Sequence, residues 1–245
     1  MKRQRIVIIG ASSHIAEHCA RLWAQQPVDF VLVGRDSARV QRVADDLKVR
    51  SPGSSADVIE ADFHDPAAIT ALAKRLQAAA KIDIVLVAHG RLRPQPDCES
   101  DLEAARDSLQ LNGVSPVLFA EAFAAQMAAA GGTIAVIGSV SGDRGRKKNY
   151  VYGAAKGMVD RYVQGMQHRF AGSALKAVLI KPGPTMTPMT AHMPPGSLAP
   201  VEQVAQNIVD GIAAGKPVIY TPAKWWLIMM IIRHLPRFIF NKLDI

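Results

Sequence analysis

The chain has 245 residues, 49% apolar and 20% charged, enough for one sizeable packed domain. Two cysteines, Cys19 and Cys98, exclude a disulfide framework and a cysteine metal site and fit a reducing compartment. The net charge of +8 suits nucleic acid, a phosphorylated substrate or an anionic membrane. Nucleic acid is the weakest of these, because no binding motif is present and no aromatics interleave with the basic runs.

Lys2, Arg3 and Arg5 precede an apolar stretch at 6–9 that is too short for a signal peptide. This stretch reads as the first strand. It runs into Gly10-Ala11-Ser12-Ser13-His14-Ile15-Ala16 and a helix over 15–25. Small residues there let the backbone approach a phosphate, and the helix N-terminus supplies amides. The usual glycines at 14 and 16 are replaced by His14 and Ala16. Histidine tolerates a left-handed backbone better than most residues. An ordinary strand–turn–helix capped by Ser12 or Ser13 is the plain alternative.

A second strand at 30–33 leads to Gly34-Arg35-Asp36 and a helix over 37–47. Arg35, with Arg39 one turn on, suits a ribose 2′-phosphate and hence NADPH, whereas Asp36 would suit the free 2′-hydroxyl of NADH. After a third strand at 57–60, Asp62 either accepts from an adenine amino group or caps the helix over 66–79. Asp65-Pro66 is the better cap. Phe63 is grouped with Asp62 as a cofactor contact. A fourth strand at 82–87 ends in Ala88-His89-Gly90, small enough at its edges for an adenosine to lie across the sheet. His89 is equally readable as a loop histidine.

A long helix is expected over 101–129, with Asn112-Gly113 disfavoured in its interior. A local kink that frees a carbonyl to bind water explains them; a merely tolerated polar residue is the alternative. A fifth strand at 133–137 delivers Ser139 to the carboxyl end of the sheet, where open α/β sheets bind ligands. Tyr152 and Lys156 follow at i and i+4 on a helix over 152–170, and so share one face. An ammonium beside a phenol is expected to lower the phenol's pKa. Serine to hold a carbonyl, tyrosine to move a proton and lysine to tune it amount to carbonyl/alcohol chemistry. Tyr150 has only Ala154 at i+4. A strand at 176–180, a proline- and methionine-rich loop at 183–200, a helix over 200–214 and a strand at 217–220 follow. That loop reads as mobile and lying over the site. Strands alternating with helices give a single doubly wound α/β domain of Rossmann type, a parallel sheet with helices on both faces.

Asn112, Ser139, Tyr152 and Lys156, in this order and spacing on this alternation of elements, resemble the short-chain dehydrogenase/reductase family over almost the whole chain. The resemblance implies that Tyr152 is the general acid and Ser139 orients the carbonyl. Lys156 binds the nicotinamide ribose, and Asn112 holds the water of a proton relay. Pro182, Gly183, Thr185 and Thr187 match the segment that touches the nicotinamide carboxamide. His14, Ala16 and Ala88-His89-Gly90 depart from the family pattern. The resemblance also implies NADPH or NADH as cofactor, and a homo-oligomer.

A narrower likeness links Gly145-Arg146, 149–153, Thr187, 189–192 and the tail from Pro222 to decaprenylphosphoryl-2-keto-erythro-pentose reductases. It implies a lipid-linked 2-keto pentose as substrate, with a flavin-dependent oxidase as oxidative partner. The tail, 223–245, carries eight apolar residues at 225–232, then Arg233, Arg237 and Lys242. A bilayer span needs about 20 apolar residues, so this stretch does not cross. It reads either as a segment lying in the membrane interface or as a helix packed on the protein or a partner copy. The basic run 144–148 either holds a substrate phosphate or is solvated. The expected location is cytoplasmic, peripheral on the inner face of the membrane. Two rivals remain: the same chemistry on another bulky apolar ketone or alcohol, and a nucleotide-binding regulator without turnover.

Overall fold

Aliphatic residues buried on both faces build one sheet. In this computed structural model residues 3–244 are described; Lys2 of the basic N-terminal run and Ile245 of the tail lie outside them. The strands are β1 (Gln4–Ile9), β2 (Val28–Gly34), β3 (Ser55–Glu60), β4 (Ile84–Val87), β5 (Gly132–Ile137), β6 (Leu175–Pro182) and β7 (Val218–Thr221). All pair in parallel, in the order β3-β2-β1-β4-β5-β6-β7. Side chains alternate between faces along each strand. Ile6 and Ile8 of β1 therefore join one core with Phe30 and Leu32, while Val7 and Ile9 join the other with Phe119 and Phe123. Helices cover both faces, as an all-parallel sheet requires. The direction of winding reverses between β1 and β4, which opens a crevice at their carboxyl ends.

The helices are α1 (His14–Trp23), α2 (Ser37–Arg50), α3 (Pro66–Ala79), α4 (Gln95–Ser100), α5 (Leu102–Leu109), α6 (Ser115–Met127), α7 (Tyr150–Arg169), α8 (Val201–Ala213), α9 (Lys224–His234) and α10 (Arg237–Phe240). Asp36 and Asp65 cap α2 and α3, accepting from the amides of Arg39 and Ala67. The helix expected over 101–129 is not continuous. A π-turn at Gln110–Val114 separates α5 from α6. Pro116 has no N–H to send to the Asn112 carbonyl, so the regular ladder fails there. The short α4, capped by Pro94 and with Pro96 in its first turn, has no counterpart in the sequence reading.

The loop at 183–200 is fastened rather than loose at its ends. Thr185 bridges Ala199, and Thr187 and Thr190 form a reciprocal cap on a 3₁₀ turn. The tail folds as α9 and α10 against this wall. A Cβ on Gly183 would lie 1.9 Å from Trp225 Nε1, so the indole rests directly on that glycine. Met229 is fully buried, while Trp226, Leu227, Ile231 and Phe238 stay exposed. Arg144 Nη1 donates to the carbonyls of Ile232 and Leu235, the latter at 2.7 Å, and satisfies the end of α9. Its guanidinium also stacks 3.7 Å from the centre of the Phe240 ring. α9 thus packs on the protein through Trp225 and Met229 and leaves Trp226, Leu227 and Ile231 at the surface.

Lys181, at the end of β6, lies buried between the carboxylates of Asp143 and Asp160. Tyr220 donates its hydroxyl to Asp143 Oδ2 at 3.1 Å. Removing the cation would strand two carboxylates in low dielectric. Lys181→Met is therefore expected to lose about 3–5 kcal/mol of unfolding free energy. Lys181→Met/Asp160→Asn should recover part of that loss. Urea denaturation of the three proteins checks the order; an unaltered midpoint for the single variant would contradict it.

Candidate active site

Strand ends and helix starts bring the predicted residues to one cleft. It has a volume of about 1010 Å³ and spans the crevice from α1 to the 183–200 loop. Ser12, Ser13, His14 and Ile15 form one end. Ala88, His89 and Gly90 lie along it. Ser139, Tyr152 and Lys156 face it, with Pro182, Gly183, Thr185 and Thr187 opposite.

The turn after β1 is made by Gly10, whose φ of 82° is left-handed and favours glycine. A Cβ there would lie 2.7 Å from His89 Cβ, so the glycine also seats the turn against the end of β4. Gly10 is hence a scaffold of the turn rather than part of the cleft wall. His14 does not take up a left-handed backbone; it is the first residue of α1. Ser13 is the N-cap residue of α1, yet its side chain makes no cap hydrogen bond. The hydroxyl and the first amides of α1 thus face the cleft without protein acceptors among the described residues, an arrangement that suits a pyrophosphate. His89 is buried, with Nε2 2.9 Å from Ser115 Oγ and its ring packed edge-on to Phe63 and Phe119. Burial holds it neutral, well below the usual histidine range, aided by the charge of Lys156.

The side chains of three expected cofactor residues stand outside the cleft wall. Phe63 is 1% exposed and belongs to the core with Phe119 and His89, so its side chain does not reach the cleft. Asp62 is exposed and accepts from the His64 amide at 2.8 Å, closing a local turn outside the cleft wall. Arg35 is exposed and also lies outside that wall. Arg39 and Arg42 on the first turns of α2 line it instead. Neither has a carboxylate partner among the described residues, whereas nearby Arg21 is paired with Asp46 at 2.8 Å. Asp36, the acid that would have gripped a free ribose hydroxyl, is committed to the cap of α2.

Ser139 follows β5, and its Oγ accepts from the Ser141 amide at 3.1 Å. The Ser139 O–H is therefore the donor of this hydroxyl, and it lies beside the Tyr152 phenol. Lys156 is 2% exposed, and its Nζ donates to the Ile137 carbonyl at 2.8 Å. An ammonium has three donors, and no second protein acceptor is found among the described residues. Two donors remain for ribose hydroxyls, a fit to a nicotinamide nucleotide made by an orphaned buried group. Asn112 is fully buried behind the site. Its Nδ2 donates to the Ser108 and Arg91 carbonyls, and its Oδ1 accepts from the Arg91 amide. The amide thus anchors the chain after β4, and its side chain does not line the cleft. A side chain on Gly90 would meet Asn112 Oδ1 at 2.9 Å and Lys156 Nζ at 3.6 Å, which shows how closely the two groups adjoin.

Lys156 Nζ lies 5.8 Å from the centre of the Tyr152 ring. It does not lower the phenol's pKa as expected from the spacing. Burial pushes Tyr152 up to about 12, with the Ser139 hydroxyl acting the other way. A phenol that keeps its proton is suited to donate one. Sequence reasoning missed Gln95, whose Oε1 accepts from the Val151 amide at 3.1 Å. This caps α7 from the start of α4 where Asn149 offers no side-chain cap, and holds the turn that carries Tyr152. Nothing in the sequence links the two residues, because Gln95 sits on the unrecognised α4.

Residues 4–197 match the short chain dehydrogenase family. The chain belongs to that family. It is 30% identical over 246 residues to an uncharacterized oxidoreductase of Mycobacterium tuberculosis, covering 97% of this chain and 96% of that one. It is 29% identical over 189 residues to a galactitol 2-dehydrogenase (L-tagatose-forming) of Cereibacter sphaeroides, covering 76% and 73%. A short-chain dehydrogenase from Sphingobium yanoikuyae solved in complex with NADPH shares the fold at a TM-score of 0.82 and 25% identity, over 96% of this chain and 97% of that one. Solved structures of this fold hold NADP, NADPH or NAD. As a short-chain dehydrogenase, the protein is an NAD(P)-dependent oxidoreductase.

Burial pushes Lys156 of this dehydrogenase down to about 8, and the charge of Asp160 opposes the shift. Above that pH the ammonium loses its proton while Tyr152 keeps its own. Ketone reduction, followed as kcat/KM, is expected to fall on a one-proton limb above pH about 8. Asp160→Asn removes the supporting negative charge and should move the limb to lower pH. A limb that stays in place in this variant would remove Asp160 as the support.

Proposed function

We propose that this chain reduces a bulky keto sugar, a 2-keto pentose linked to a polyprenyl phosphate, using NADPH, with NADH as a second choice. The observation that carries the reading is Ser139, Tyr152 and Lys156 converging on one large cleft. When bound there, the nicotinamide supplies a hydride to the carbonyl carbon. Ser139 donates a hydrogen bond to the carbonyl oxygen, and Tyr152 passes its proton to that oxygen. Lys156 holds the ribose through the donors that its bond to the Ile137 carbonyl leaves free. Arg39 and Arg42 hold a 2′-phosphate in the position expected of Arg35, which supports NADPH.

Two features support the sugar and the lipid. The galactitol 2-dehydrogenase that the chain resembles acts, by its name, at carbon 2 of a sugar alcohol. The outer face of α9 and α10 exposes Trp226, Ile231 and Phe238 beside Lys224, Arg233, Arg237 and Lys242. That combination favours an anionic lipid surface, with apolar groups in the acyl boundary and cations at phosphate. No helix among the described residues is long and apolar enough to cross a membrane. In this reading 223–245 lies on the inner face of the cytoplasmic membrane, and a flavin-dependent oxidase supplies the keto sugar. Trp225, seated on Gly183, joins the membrane segment to the cleft wall.

Tyr152→Phe is expected to cut turnover of the lipid-linked ketone by about 10²–10⁴-fold, while NADPH binding, read by fluorescence, persists. Retained turnover would remove the proton donor. Independently, the triple variant Trp226→Ser/Ile231→Ser/Phe238→Ser should sediment less with phosphatidylglycerol vesicles than the native protein. It leaves Trp225 and Met229 in place, so the fold of α9 is kept. Equal sedimentation would argue against the membrane face.

A further inference from the structure

The run 144–148 carries four cations, and three of them are held by α9, by α10 or by the tail carboxylate of Asp244. Arg144 caps α9. Lys147 and Lys148 pair with Asp244 at 2.7 and 3.1 Å. Arg146 differs. It lines the cleft together with Ser141, Lys148 and Asn149, but unlike Lys148 it has no carboxylate partner among the described residues. Its Nη2 donates to Ser141 Oγ at 2.8 Å, while its Nε–H is buried without an acceptor. Burial pulls its pKa down, with the charge of Asp143 acting the other way.

Ser141 Oγ receives a second donor, Asn149 Nδ2, at 3.3 Å. With both its acceptor positions filled by protein donors, the Ser141 hydroxyl has its own proton left to give. Asn149 Oδ1 is buried and also lacks a partner. A guanidinium N–H, a serine O–H and an amide oxygen thus stand unsatisfied two to ten residues beyond Ser139. Burying such groups costs free energy unless a ligand completes them. An anionic oxygen would accept from Arg146 and Ser141, and a neighbouring hydroxyl would donate to Asn149. The pyrophosphate turn at Ser12–Ser13 lies at the other end of the cleft, so this receptor belongs to the substrate half.

We propose that Arg146, with Ser141 and Asn149, binds a phosphoryl group carried by the ketone substrate, and so selects a phosphorylated hydroxy-ketone over its neutral counterpart. This rests on the reading that ketone reduction occurs in this cleft. A guanidinium suits the role because its planar fork meets a phosphoryl group at two oxygens.

The test compares native protein, Arg146→Gln and Arg146→Lys with NADPH and two soluble ketones, ribulose 5-phosphate and ribulose. The native protein should favour the phosphorylated ketone in kcat/KM by at least about tenfold. Arg146→Gln should bring that ratio close to one, by loss on the phosphorylated ketone alone. Arg146→Lys should retain part of the preference. NADPH affinity unchanged within about twofold would show that fold and cofactor site survive. Equal losses on both ketones, or an unchanged ratio, overturn the proposal. If neither ketone is turned over, the substrate reading fails by itself. Titration of inorganic phosphate and farnesyl phosphate into the NADP-saturated protein then decides the proposal. Binding that disappears in Arg146→Gln supports it, and no binding to the native protein overturns it. Tighter binding of farnesyl phosphate assigns the group to a prenyl phosphate; equal binding assigns it to a free sugar phosphate.

Discussion

The site depends on keeping one ammonium charged inside the protein. Lys156 is buried against the Ile137 carbonyl, where an unpaired charge is costly. One turn along α7, Asp160 points its charge toward it, and Asp160 is itself held by Lys181, which also grips Asp143. Lys156 with this cluster is neutral as a whole when all four groups are ionised. β5 supplies Ile137 and Ser139, β6 supplies Lys181, and α7 supplies Tyr152, Lys156 and Asp160. The register of two strands and one helix is therefore fixed by the same electrostatic balance that serves the chemistry. Breaking any member would disturb both.

This balance also explains why the spacing of Tyr152 and Lys156 was readable and their titration was not. Four residues on a helix place two side chains on one face whatever surrounds them. A pKa depends on what surrounds them. Burial raises the phenol and lowers the ammonium, and the nearest acceptor of Lys156 is a carbonyl from another strand. A phenol near 12 keeps its proton at neutral pH, which is compatible with the donor role proposed for it.

The strands were legible because aliphatic runs bounded by Gly, Pro and Asp have few other uses. So was the meeting of Ser139, Tyr152 and Lys156 at one cleft. What the sequence did not show shares a cause: contacts that only tertiary structure creates. Phe63 looked like a cofactor contact by its place after β3, but Phe119 and His89 draw it into the core. Arg35 was chosen by nearness to β2, yet α2 turns Arg39 and Arg42 toward the cleft. Asn112 was rightly singled out by its poor fit to a helix. Its reason is the missing amide of Pro116 together with its bonds to Arg91.

The tail shows the limit of composition. A run of eight apolar residues does not say which of them face inward. Here Trp225 and Met229 do, while Trp226 and Ile231 do not, because Gly183 leaves room for one indole. A fully buried aliphatic or aromatic side chain is worth about 1.5–3 kcal/mol relative to an exposed one, so the inner contacts suffice to dock α9. The exposed apolar residues add nothing to the fold of this chain by that measure. Arg144 determines where this surface sits, since it ties the end of α9 to the loop that leads into α7. Two residues on, Arg146 turns into the cleft from the same loop. A single basic segment thus fixes both the position of the apolar surface and a charge on the wall of the cleft. Displacing α9 would alter both.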